Sequence, residues 1–214
     1  MVFINEILTD IEWRLTQLVT IRTLPIKYNL SPTDREVHNR TSIPAIYALW
    51  EGFVKEAFSI YARYLDSLQL SRDEINIVLL THELDSLCDF QSSRENLKAK
   101  VKLVEAINEK LKPVISISKK VPTKSNVNYK VLKDIFDRFC ISLTLDKSIY
   151  GSKIDRFLLF RNACAHGDNS IQINNSDLDE FYKLVEDLMY EVAVCLEHSA
   201  INKDYKGVQL APTH

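Results

Sequence analysis

Glycine is scarce in this chain, at four residues in 214. Loops that cradle phosphate with backbone N–H groups need several glycines at fixed spacing, so P-loop and dinucleotide-binding chemistry drops out at once. No apolar run reaches the roughly 18 to 20 residues that cross a bilayer as a helix, and no secretory leader opens the sequence. Four cysteines, Cys88, Cys140, Cys164 and Cys195, stand far apart and lack the CxxC-type pairing of zinc sites. The pairs Cys164-x-His166 and Cys195-x-x-His198 fall on separate elements, so no metal and no cofactor is expected. Reduced thiols, no membrane contact and a cytoplasmic location are the expectation. An excess of positive charge is also missing. Lys and Arg number 27 against 29 Asp and Glu, and the pI is about 6.2, so a nucleic-acid partner would have to be held by a local patch.

What is present is helical periodicity. Ile4, Ile7, Leu8, Ile11, Leu15, Leu18 and Val19 form a stripe over 2–24 that Pro25 is expected to stop. "LSPTD" at 30–34 reads as a short helical turn or structured loop. From Pro44, the apolar positions Ile46, Leu49, Trp50, Phe53, Val54, Ala57, Phe58, Tyr61, Tyr64 and Leu65 recur at three and four, predicting a long amphipathic helix. Ser71 with Glu74, and Ser92 with Glu95, have capping-box spacing and predict helices near 72–83 and 93–112. "PVISISKKVP" between Pro113 and Pro122 reads as a loop. Leu132 to Leu143 carry another stripe, and "SKIDRFLLFRNACAH" opens a further helix at 152. Ser176 with Asp179 is expected to cap a last helix whose polar end frays after about residue 200. The fold class is all-α, with a helical bundle as the natural way to bury such stripes. A single domain over 1–205 is expected, with a flexible tail at 206–214.

The chemistry-bearing residues cluster in "FLLFRNACAHGDNS", residues 157–170. Five positions along a regular helix turn by about 140°, so Arg161 and His166 do not share a face. Gly167, the usual residue just past a helix end, puts His166 in the unwinding last turn. Cleaving RNA without a metal needs a group that exchanges protons near neutral pH and a fixed cation beside the phosphate. His and Arg supply these, and Asn162 can orient either one. A helix stop with cations favourable to the helix dipole is the alternative reading, and spacing alone does not exclude it.

"RNACAH" resembles the Arg-x(4–6)-His motif of the HEPN superfamily, all-α domains of prokaryotic toxins, defence systems and RNA-processing enzymes. "IEWRLTQL" at 11–18 and "SIPAIYALWEGFVKEAF" at 42–58 are similar to the opening helices of a HEPN-like nuclease branch in the RiboL-PSP group. The resemblance implies an up-and-down helical bundle in which 70–130 is a family-specific helical and loop insertion. It implies a metal-independent endoribonuclease acting as a homodimer with one composite cleft, in a toxin–antitoxin or phage-defence setting with a possible cognate antitoxin protein. Arg161 and His166 are then the catalytic pair and Asn162 the supporting polar residue, while Glu51 is a supporting candidate or else a solvated surface carboxylate. The alternative is a non-catalytic HEPN module that binds nucleotide or a partner protein. Some HEPN toxins carry a modifiable Tyr two residues after the motif His; here that position is Asp168.

From 112 to 133 the chain has six lysines and no acid. Lys119, Lys120 and Lys124 are candidates to hold the RNA backbone, with a solvated Lys-rich loop as the alternative. Lys153 and Arg156, about two turns and about one turn before Arg161, are candidates to extend the patch around the motif.

Overall fold

The computed structural model describes residues 2–85, 96–110, 114–124 and 126–207. Among these, seven helices follow one another: α1 (Val2–Lys27), α2 (Pro32–Ser67), α3 (Ile77–Asp85), α4 (Leu97–Lys110), α5 (Tyr129–Arg138), α6 (Lys147–Ala165) and α7 (Asn175–Asn202). No described segment forms more than an isolated β-bridge. The all-α expectation holds, and "PVISISKKVP" is a loop wherever it is described.

Helix α2 is the spine. Its 36 residues span roughly 54 Å, and α1, α6 and α7 all pack on it. Trp50, Phe53, Phe58 and Tyr61 on its inner face are fully buried, each worth about 1.5–3 kcal/mol relative to exposure. Arg14 of α1 crosses this spine at Gly52. Its Nη1 donates to Leu49 O at 2.8 Å while Asp10 holds its Nε, and a Cβ at Gly52 would stand 2.8 Å from Nη1. Gly52 thus makes room for a guanidinium that locks α1 to the turn of α2 carrying Glu51.

Both prolines expected to mark boundaries lie inside helices. Pro25 does not end α1, which runs on to Lys27. A proline at this position has no N–H for Ile21 O, and His38 Nε2 donates to that oxygen instead, at 3.0 Å. Pro44 likewise lies within α2. The "LSPTD" turn is the start of the same helix, with the Ser31 hydroxyl accepting from Asp34 N–H.

Other boundaries also move. Glu74 caps Ser71 as expected, but over a turn bridged to Val114, and α3 begins only at Ile77. The Ser92–Glu95 pair and Cys88 lie outside the described residues. Helix α6 starts five residues earlier than expected, on an Asp146 cap. Helix α7 starts on Asn174, whose N–H donates to Asp177 at 2.7 Å, so Ser176 is not its cap. The end of α7 does not fray at 200. Tyr205 is buried against Tyr64, and Gly207 N–H donates to Glu74 O, so the expected tail is anchored through 207. Residues 208–214 lie outside the described residues.

Candidate active site

The site begins where α6 stops. Gly167 takes the left-handed conformation (φ 72°), Asp168 N–H reaches back to Ala163 O, and Gly167 N–H reaches Cys164 O. This is a Schellman stop, the arrangement glycine allows without steric penalty. It leaves His166 as the cap just past Ala165, the last residue of α6, exposed, with no hydrogen-bond partner for its imidazole among the described residues. Arg40 of α2 fixes the chain beyond the stop, donating to Asp168 O and Ile171 O. The Asp168 carboxylate, held below its usual range by hydrogen bonds from Ser170, turns into its own loop.

Arg161 leaves α6 on the side facing α2. Its guanidinium carbon lies 4.4 Å from the centroid of the Tyr47 ring, and its Nη1 donates to Asn162 Oδ1 at 2.8 Å. Asn162 and His166, four positions apart, differ by only about 40° around the helix. The bond to Asn162 therefore brings the Arg161 guanidinium to the edge of the face that carries His166. The 140° separation read from helix geometry is partly bridged by the length of the arginine.

Glu51 lies one turn beyond Tyr47 on α2, and it is not a solvated carboxylate. Its side chain is 12% exposed, accepts from Lys55 Nζ at 2.7 Å and accepts from the Thr123 hydroxyl at 3.1 Å. The Tyr47 hydroxyl accepts from Val127 N–H at 2.7 Å. Burial first, then the nearby Glu51 charge, raises its pKa above the ordinary phenol value, with the Val127 and Arg161 contacts opposing. Arg161, Asn162 and Tyr47 thus form one connected group at the α2–α6 seam, with Glu51 one turn further along α2.

The outlying candidates separate. Lys119, Lys120 and Lys124 are exposed on the segment that Thr123 and Val127 clip to α2, and Lys124 lies 3.5 Å from Asp134. Lys153 is exposed on α6. Arg156 is engaged inside the fold, ion-paired with Asp177 and Glu180 and stacked over Phe160 and Phe181. The apolar run around it carries no sign of that pairing, because both acids come from α7. Lys112 lies outside the described residues.

Sequence reasoning misses Tyr47 and Thr123. Tyr47 falls outside the helical stripe, yet its place one turn before Glu51 is an available signal; Thr123 has none. Among the described residues no three His, Cys, Asp or Glu side chains gather as a metal site would need, and no helix is long and apolar enough to cross a membrane.

A helical bundle whose sixth helix ends on Arg-Asn-x-x-x-His, with the arginine turned onto the central helix, has the form of a HEPN domain. The family model for HEPN_MAE_28990-like HEPN matches residues 3–205, and the chain belongs to that family. Comparison with curated proteins and with solved structures found no match. The HEPN superfamily includes ribonucleases alongside nucleotide-binding modules.

Proposed function

We propose that the protein is a metal-independent endoribonuclease that works as a homodimer, in a toxin–antitoxin or phage-defence role. The observation that carries this reading is the division of labour at the end of α6. Arg161 is held by the Tyr47 ring and Asn162, while His166 stands uncommitted at the surface. A restrained cation and an exposed imidazole near one helix end are what cleavage by the ribose 2′-hydroxyl asks for.

The imidazole takes the 2′-hydroxyl proton, or protonates the departing 5′-oxygen, and the guanidinium meets the charge that builds on the phosphoryl oxygens. The products carry a 2′,3′-cyclic phosphate and a free 5′-hydroxyl. A second copy fits this scheme because Asp155, Leu159, Asn162 and His166 recur at four, three and four along one outward stripe of α6, with Leu159 59% exposed. Two such stripes meeting about a two-fold axis bring both histidines into one cleft.

The alternative, a HEPN module that binds nucleotide or a partner protein without cutting RNA, has one observation in its favour. A cavity of about 240 Å³ opens between α1, α2 and α7, lined by Arg22, Arg35, His38, Asn39 and Tyr182 among others. The two readings part on one experiment. Purified protein and its Arg161→Ala and His166→Ala variants are incubated with RNA in chelator. Cleavage by the wild type alone, with cyclic-phosphate ends, supports the nuclease. Undiminished cleavage by both variants removes the assignment, and nucleotide binding without cleavage favours the module.

A further inference from the structure

We propose that Tyr47 is a positioning residue that couples the lysine-bearing segment 114–128 to Arg161; this rests on the nuclease reading above. Three contacts clip the segment to little more than one turn of α2. Val127 N–H donates to the Tyr47 hydroxyl at 2.7 Å, Trp50 Nε1 donates to Val127 O at 3.4 Å, and the Thr123 hydroxyl donates to Glu51 at 3.1 Å. Tyr47 is 2% exposed. The bonds from Val127 to Tyr47 and from Thr123 to Glu51 thus tie two nearby points of the segment to positions one turn apart on α2.

The same phenol ring carries Arg161 on its face, 4.4 Å from the guanidinium carbon, and meets the Phe157 ring edge-on at 5.8 Å. One side chain thus touches both the segment that bears Lys119, Lys120 and Lys124 and the cation proposed for the phosphate. An arginine left to itself loses rotamer freedom when fixed. A ring locked by its own hydroxyl removes part of that cost before RNA arrives. The hydroxyl makes the difference between a ring that merely fills the core and one whose position is set by the basic segment.

The test uses the full chain and a single RNA substrate. Tyr47→Phe keeps the ring and removes the hydroxyl. It is expected to speed amide hydrogen exchange at Val127 and to lower kcat about tenfold with KM for RNA unchanged. Thr123→Val, which releases the same segment from Glu51, follows in the same direction. In an Arg161→Lys background Tyr47→Phe adds less than about twofold, because it acts through the arginine. Wild-type kcat in Tyr47→Phe, unchanged exchange at Val127, or a full tenfold loss in the Arg161→Lys background overturns the proposal. Those outcomes leave the nuclease reading standing; a wild-type protein that cleaves no RNA takes down both. Tyr47→Leu, which also removes the ring, is expected to lose more than Tyr47→Phe. If it fails to fold, Tyr47→Phe and Thr123→Val still decide.

Discussion

The Arg161 guanidinium lies over the Tyr47 ring and is held at its edge by Asn162 Oδ1, 2.8 Å away. The first contact restrains the cation toward α2 and the second draws it toward the face of His166. Asn162→Ala removes only the second. Cleavage by that variant is expected to fall about tenfold, since a charge-assisted hydrogen bond contributes about 1.5–3 kcal/mol when fully used and the ring contact survives. RNA affinity, measured with a substrate lacking the 2′-hydroxyl, should stay within about twofold. Full activity in Asn162→Ala would mean the amide orients nothing.

A composite cleft predicts complementation. Mixed Arg161→Ala and His166→Ala subunits, each inactive alone, form heterodimers in which one protomer contributes Arg161 and its partner contributes His166. Partial recovery of cleavage on mixing is the expected result. A mixture as inactive as its components would place both residues of a working pair on one chain.

Two helix ends share a left-handed stop but fill it with different residues. Gly167 (φ 72°) occupies it without strain after α6, whereas Lys203 (φ 60°) occupies it after α7. A side chain in this region costs about 1–2 kcal/mol. Gly167→Ala is therefore expected to lower the melting temperature by a few degrees, although no atom crowds its Cβ. It should lower cleavage too, because the stop sets the position of His166. Lys203→Gly is expected to gain about 0.5–1 kcal/mol and leave cleavage alone. Differential scanning calorimetry with a cleavage assay separates the two.

The helical stripes and the Gly167 stop are legible in the sequence because both are local. A 3.6-residue period and a glycine after an apolar run need only neighbouring residues to be read. Pro25 misleads for the same reason, since the donor that rescues Ile21 O is His38, on another helix. The Asn174 start of α7 is hidden because Ser176–Asp179 has the same spacing, and the choice between them depends on Arg156 drawing Asp177 toward α6. Tyr47 escapes notice because period analysis sees burial but not what lies on a ring face. Its link to Arg161 exists only once α2 and α6 cross.

The basic residues divide into two kinds, and a salt titration tells them apart. Lys119, Lys120 and Lys124 are exposed, and replacing all three with Ser should lower the slope of log affinity against log salt by up to about 2, roughly 0.7 for each single-strand phosphate that a lysine no longer neutralises. Arg156→Met should leave that slope unchanged. It strands Asp177, whose side chain is 10% exposed, so a loss of about 1–3 kcal/mol in stability is expected instead. An unchanged slope in the triple variant would remove the segment from the RNA path.

His38 gives the fold a dependence on acidity that is separate from any chemistry at His166. Its Nε2 donates to Ile21 O, and the Ser42 hydroxyl lies 3.1 Å from its Nδ1. Partial burial lowers its pKa below the ordinary value of 6.5, and the cations Arg22 and Arg35 line the same cavity, with Asp179 the acid among them. With the folded value below the unfolded one, the unfolded chain binds the proton first as pH falls. Between the two values stability therefore drops with falling pH, and above about 6.5 the contribution is complete. The wild type should lose melting temperature between pH 7 and 5 more steeply than His38→Gln, whose amide keeps a donor without titrating. Parallel curves for the two proteins would mean that a different group governs acid stability and that His38 serves only to satisfy the carbonyl Pro25 leaves open.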